Sequence, residues 1–172
     1  MRLSEKLAQA INIQINKELY SEYFYLSMAA YFEAENLPGF ANFFIVQTQE
    51  ERFHVMKFFH YMHERGARVK LLPIAGPQTE FQSPLEIFQM AYKHEVYVSD
   101  SINELMDIAK ADNDHASQVF LQWYIGEQVE EEASMDDIVN RLSRTGDNNY
   151  GLLMLDKELA LRVFTPPVTQ TN

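Results

Sequence analysis

Glu51 and His54 lie three residues apart in the run Gln49-Glu50-Glu51-Arg52-Phe53-His54. On a helix that step leaves a carboxylate and an imidazole about 60° apart on one face. A carboxylate that can bridge and a neutral imidazole together make good ligands for a divalent transition metal. Phe44, seven before Glu51, and Phe58, seven after it, put the pair on an apolar face. Burying an ionisable group is costly unless it is paired or metal-bound, so something must compensate Glu51.

Three more acids occupy the same kind of place. Glu18 falls in a stripe with Ile11, Ile15, Tyr25 and Phe32. Glu95 falls among Phe88, Ala91, Val98 and Ile102, and Glu131 among Phe120, Tyr124, Met135, Ile138 and Leu142. No basic residue shares these stripes. Four carboxylates converging at one level of a bundle cannot all stay ionised without cations. Oxygen-rich ligation with one histidine suits iron or manganese better than structural zinc. Inward glutamates with a Glu-x-x-His step form the di-iron carboxylate pattern of helix bundles. Glu127, Glu130 and Glu131 also share a face by their three- and four-residue spacing, which reads as further metal ligation. Glu132 reads as solvated, His60, His63, His94 and His115 as structural or surface residues, and the methionines as packing.

The elements that must position these acids follow from punctuation and period. A helix is predicted over residues 4–35, with Ser4 as N-cap and Asn36-Leu37-Pro38-Gly39 ending it. A second runs over 39–65, with Gly66 closing it. Residues 67–82, with Pro73, Gly76 and Pro77, show no helical period and form a long crossover. Ser83-Pro84-Leu85-Glu86 is a capping box that opens a third helix over 84–110. Asp114 caps a fourth, to about residue 144, and a short fifth covers 148–163. The expected fold is all-α: a four-helix bundle with a crossover between its second and third helices and a short C-terminal helix, one domain over residues 1–164. Residues 165–172 are expected to be a disordered tail.

Composition excludes several functions. With 25 acidic against 14 basic residues and a formal charge of −11, nucleic-acid binding is not expected, whereas gathering cations is. Without cysteine, neither a disulfide nor a thiolate metal site can form. The first eighteen residues are too interrupted by charge to be a signal peptide or a spanning helix, so no membrane partner and a cytoplasmic location are expected.

The chain resembles the ferritins, in particular the haem-free bacterial type. The resemblance covers Leu3 to about Arg162. It rests on Glu18-Leu19-Tyr20-Ser21, Glu50-Glu51-Arg52-Phe53-His54, Tyr92-Lys93-His94-Glu95 and Trp123-Tyr124-Ile125-Gly126-Glu127-Gln128-Val129-Glu130-Glu131-Glu132. It implies one iron site from Glu18, Glu51 and His54, and a second from Glu51, Glu95 and Glu131 with Glu51 bridging. A third, neighbouring site would use Glu50, Glu127 and Glu130, sharing Glu131. Gln128 would lie beside the second iron and Tyr25 beside the pair. Tyr25 reads as core packing from its stripe, and the resemblance adds a redox role.

The implied activity is ferroxidation of Fe2+ by O2 or peroxide, with mineral storage inside a shell of twenty-four subunits whose fifth helices meet at four-fold axes. Asp112 and Asp114 are then expected near a pore. Haem-containing bacterioferritins look similar but carry a second Glu-x-x-His where this chain has Gln128-Val129-Glu130-Glu131, and a methionine where it has Arg52; no haem is expected. Rubrerythrins resemble the bundle but add a cysteine-ligated iron domain. Two other readings fit the same residues: a di-metal oxidase acting on an organic substrate, and a metal-free helical interaction module.

Overall fold

A computed structural model describes residues 2–146 and 148–166. Five helices form: α1 (Glu5–Ala34), α2 (Pro38–Glu64), α3 (Pro84–Ala111), α4 (His115–Thr145) and α5 (Asn149–Leu159). No strand occurs among the described residues.

Each helix end has a local cause. Ser4 accepts the Leu7 N–H at 3.0 Å and starts α1. Asn36 turns left-handed (φ 58°), and Pro38 restarts the chain at the first turn of α2. Gly66 takes φ 68° just beyond α2, a conformation glycine adopts without steric cost. Ser83 caps α3 through the Glu86 N–H, but the Glu86 carboxylate bonds the N–H of Gln82 at 2.6 Å rather than that of Ser83. Asp114 caps α4 through Ser117.

Short turns make α1–α2 and α3–α4 antiparallel pairs, and α1 packs on α3 to join them. The crossover runs along α1. Asn12 bonds the Arg68 carbonyl and the Lys70 N–H at one end, and Ser27 bonds the Gln78 carbonyl at the other.

The core is in two parts. One, rich in phenylalanine, contains Phe32, Phe40, Phe44, Phe88 and Met135, and α5 adds Leu155 and Leu159 to it. The other contains Leu7, Ile11, Phe58, Ile102 and Tyr124. Between them lies a belt of buried polar groups on all four long helices: Gln14, Glu18, Gln47, Glu51, His54, Glu95, Gln128 and Glu131. Phe120 is only half-buried, because Leu121 takes the fully buried place one residue on.

The fifth helix is shorter than the sequence suggested, ending at Leu159 instead of residue 163. Tertiary bonds hold the chain at and just beyond its end: Asn42 Nδ2 donates to the Leu159 and Arg162 oxygens, each at 3.0 Å. In return, α5 completes α2. Leu37 gives α2 no side-chain cap, and Asp156 Oδ1 accepts the Gly39 and Phe40 N–H groups at 2.8 and 3.0 Å instead. Any Cβ at Gly39 would lie 1.6 Å from the Asp156 carbonyl oxygen, so only glycine permits this approach. Asp156→Ala should lower stability by about 2 kcal/mol, the usual cost of orphaning buried donors. An unchanged denaturation midpoint would contradict this role. Of the expected tail, residues 167–172 lie outside the described residues, and 165–166 are in no helix.

Asp112 and Asp114 both have intrachain partners. Asp112 accepts from Ser4 Oγ, and Asp114 pairs with Arg65 at 2.6 Å besides capping α4.

Candidate metal centre

The polar belt holds the centre. Glu18 on α1 and Glu51 and His54 on α2 are 1%, 2% and 3% exposed. Each offers a ligand atom, and these atoms all lie within 4.8 Å of one another. His54 Nδ1 stands 3.5 Å from Glu51 Oε2 and 3.8 Å from Glu18 Oε2. Those two carboxylate oxygens are buried and accept no hydrogen bond. Two orphaned carboxyl oxygens beside an imidazole nitrogen are what a cation would satisfy.

Glu95 and Glu131 stand beside this group, each held by a neutral donor. Tyr25 OH donates to Glu95 Oε1, and Gln128 Nε2 donates to Glu95 Oε2 at 3.0 Å. Gln47 Nε2 donates to Glu131 Oε2 at 2.9 Å. Glu18 is fixed similarly, with Gln14 Nε2 donating to its Oε1 at 2.8 Å and leaving Oε2 free. Behind Gln14 the donors run in series: Lys17 Nζ donates to Ser101 Oγ at 2.6 Å, and Ser101 donates to Gln14 Oε1. The ammonium thereby fixes which end of the Gln14 amide faces Glu18. Tyr124 OH donates to the His54 carbonyl at 2.8 Å, and the Trp123 ring packs edge-on to the imidazole.

The electrostatics show the same shortage of positive charge. Burial, followed by the charges of Glu18 and Glu95, pushes the Glu51 carboxyl well above its usual range. Burial and Glu131 push Glu95 up to about 8, against the pull of the Tyr25 and Gln128 bonds. Burial and then Glu95 and Glu51 raise the Tyr25 hydroxyl too. At neutral pH the metal-free belt therefore retains protons that a divalent ion must displace.

The second acidic group is more open. Glu50 and Glu127 are half-buried and Glu130 is exposed. Burial raises Glu50 to about 7, Arg162 pulls it down, and Glu131 and Glu127 push it up. Burial raises Glu127 as well, with Glu130 and Glu131 adding to the rise and His54 opposing it. Glu132 is not a solvated acid: it is half-buried and accepts from Ser99. His94 turns away from the centre to Ser21 Oγ, 2.8 Å away, and burial lowers it to about 4, so it is neutral. His60, His63 and His115 are exposed.

Sequence reasoning missed the supporting residues. Gln14 and Gln47 each stand four before a stripe glutamate, a spacing that could have exposed them. Lys17, Ser101, Asp156 and Arg162 act across long sequence separations and left no local signal.

A bundle of this topology around a buried Glu/Glu/His group defines a ferritin-like protein. The family model described as "Ferritin-like domain" matches residues 8–145. The chain belongs to the ferritin family. It is 41% identical over 162 residues to the bacterial non-haem ferritin of Staphylococcus aureus, covering 94% of this chain and 98% of that one. The bacterial non-haem ferritin of Staphylococcus saprophyticus is also 41% identical. Among solved structures it is similar to the open-pore ferritin of the archaeon Archaeoglobus fulgidus, with 52% identity and a TM-score of 0.92 over 94% of this chain and 99% of that one. A humanised archaeal ferritin superposes with a TM-score of 0.94, at 52% identity over 95% of this chain and 99% of that one.

Proposed function

We propose that the chain stores iron and oxidises Fe2+ to Fe3+, with O2 or peroxide as acceptor, at a two-iron centre in the belt. The observation that carries this reading is the buried Glu18/Glu51/His54 group with its two unpartnered carboxylate oxygens. Those three residues hold one substrate ion. Glu51, Glu95 and Glu131 hold the other, with Glu51 shared. Each Fe2+ gives up one electron, and the Fe3+ products pass to a mineral. A ring of carboxylates favours the more highly charged product, which draws the oxidation forward. Gln14, Gln47 and Gln128 orient the acids, and the two apolar cores keep the belt from spreading. Glu50, Glu127 and Glu130, with Glu131 shared, form a third iron site beside the pair.

The family membership favours this reading over an oxidase acting on an organic substrate and over a metal-free module. No described helix is long and apolar enough to cross a membrane, and a cytoplasmic location fits. The working form is a homo-oligomeric shell. Anaerobic Fe2+ titration followed by exposure to air tests the whole scheme. Two tightly bound Fe2+ per chain that turn ferric within seconds of mixing are expected; a chain that takes up no Fe2+ would reject it.

Tyr25 donates its buried hydroxyl to Glu95 and has two assignments to separate. As an electron donor it makes Tyr25→Phe turn over about tenfold more slowly with unchanged metal affinity, an effect of the size seen for partners of metal ligands. Unchanged stopped-flow kinetics and stoichiometry would leave it a packing residue.

A further inference from the structure

The third-site acids have a cation of their own, supplied from beyond α5. Arg162 Nη2 donates to Glu50 Oε2 at 2.7 Å, and both side chains are 24% exposed. The guanidinium lies 4.2 Å over the Phe43 ring and donates to the Phe43 carbonyl at 3.4 Å. Asn42 holds the backbone of the same segment through the Leu159 and Arg162 carbonyls. The arginine is thus anchored at ring, carbonyl and main chain, all on the first turns of α2, with its free end on Glu50. Its neighbour in type, Arg52, is committed elsewhere, to Glu22 at 2.9 Å. Lys57 lies over the Trp123 and Phe120 rings, where its charge acts on Glu127, and Arg162 is the cation that holds Glu50.

We propose that Arg162 is a resident counter-cation that holds Glu50 until a divalent ion displaces it, so that it sets the affinity of the third site. The proposal rests on reading Glu50, Glu127 and Glu130 as that site. A metal ion taking Glu50 Oε2 must break a charge-assisted hydrogen bond and also approach a fixed positive charge. Neither cost falls on the buried pair, whose open oxygens belong to Glu18 and Glu51. The third site is thereby kept weaker than the pair and emptied more readily, which suits an ion in passage. The same contact ties the site to the C-terminal segment: a shift of α5 moves the arginine that occupies it.

The test is calorimetric titration of Zn2+, a redox-inert divalent ion, into the metal-free full-length protein. Wild type should show two tight binding events and one weaker event. In Arg162→Gln the third should tighten about tenfold, as expected for removal of a partly screened charge pair and its repulsion, with the first two unchanged. Three events with an unaltered or weakened third overturn the role of Arg162 alone. Only two events in wild type overturn the third site and the proposal with it. A Zn2+-soaked wild-type crystal gives a second measurement should the variant fold poorly. Zinc at Glu50 with the Arg162 contact broken supports displacement, and zinc bound there with the 2.7 Å contact intact overturns it.

Discussion

Replacing Glu51 by alanine should slow the initial oxidation of Fe2+ by about a hundredfold or more. Losing a mere partner of a metal ligand commonly costs ten- to a hundredfold, and Glu51 is proposed to contact both ions. It lies on α2 opposite the acids of the other three long helices, with its Oε2 unsatisfied. No neighbour can replace it: Glu18 Oε1 is tied to Gln14, Glu95 to Tyr25 and Gln128, and Glu131 to Gln47. Slow mineral growth can persist on other acids. Glu51→Gln sharpens the test, because it keeps the volume and removes the charge. It should lose the fast phase equally, because a neutral amide cannot supply the negative charge that two cations share. Wild-type initial rates in the alanine variant would refute the assignment of Glu51.

Light scattering on the full chain should give a mass near twenty-four times 20.1 kDa. The outer face of α5 and the segment after it are strongly apolar. Leu155 and Leu159 are buried against the bundle, worth about 2 kcal/mol each. Tyr150, Leu153, Leu161 and Val163 remain 73%, 51%, 79% and 77% exposed. Ile13, Leu26, Met56, Phe59 and Leu71 add exposed apolar surface along α1, α2 and the crossover. An isolated chain with so much apolar area in water is a poor monomer, and closed point-group symmetry is the usual remedy. Truncation before α5 would be ambiguous, since it also removes the Asp156 cap of α2 and the Arg162 contact with Glu50. Tyr150→Glu combined with Leu153→Glu leaves both in place and should break or shrink the particle while helicity is retained. Wild type running as a monomer or dimer at micromolar concentration would reject storage in a shell.

Much of this was legible in the sequence because helices advertise themselves. Ser4, Pro38, Ser83, Asp114 and Gly66 act within a turn of where they stand, so boundaries came within a residue or two for α1 to α4. The acids were legible for the same reason, as charged residues in apolar stripes at helical spacing. What escaped was set by distant partners. Asn42, some 117 residues from Leu159, takes the carbonyl that would have prolonged α5. Ser99 converts Glu132 from a surface acid to a bonded one, and Arg162 reaches Glu50 across 112 residues. No window of neighbouring residues contains such pairings.

The division of the apolar interior means that damage to one half need not spread to the other. Side chains in one half, such as Phe40 or Phe88, share no contact shell with Leu7 or Ile102 in the other, so substitutions in the two halves should combine nearly additively. The polar belt is thus bordered by two separate hydrophobic blocks. The two tyrosines that reach the belt, Tyr25 from one block and Tyr124 from the other, are then the places where a change in packing would be felt at the centre.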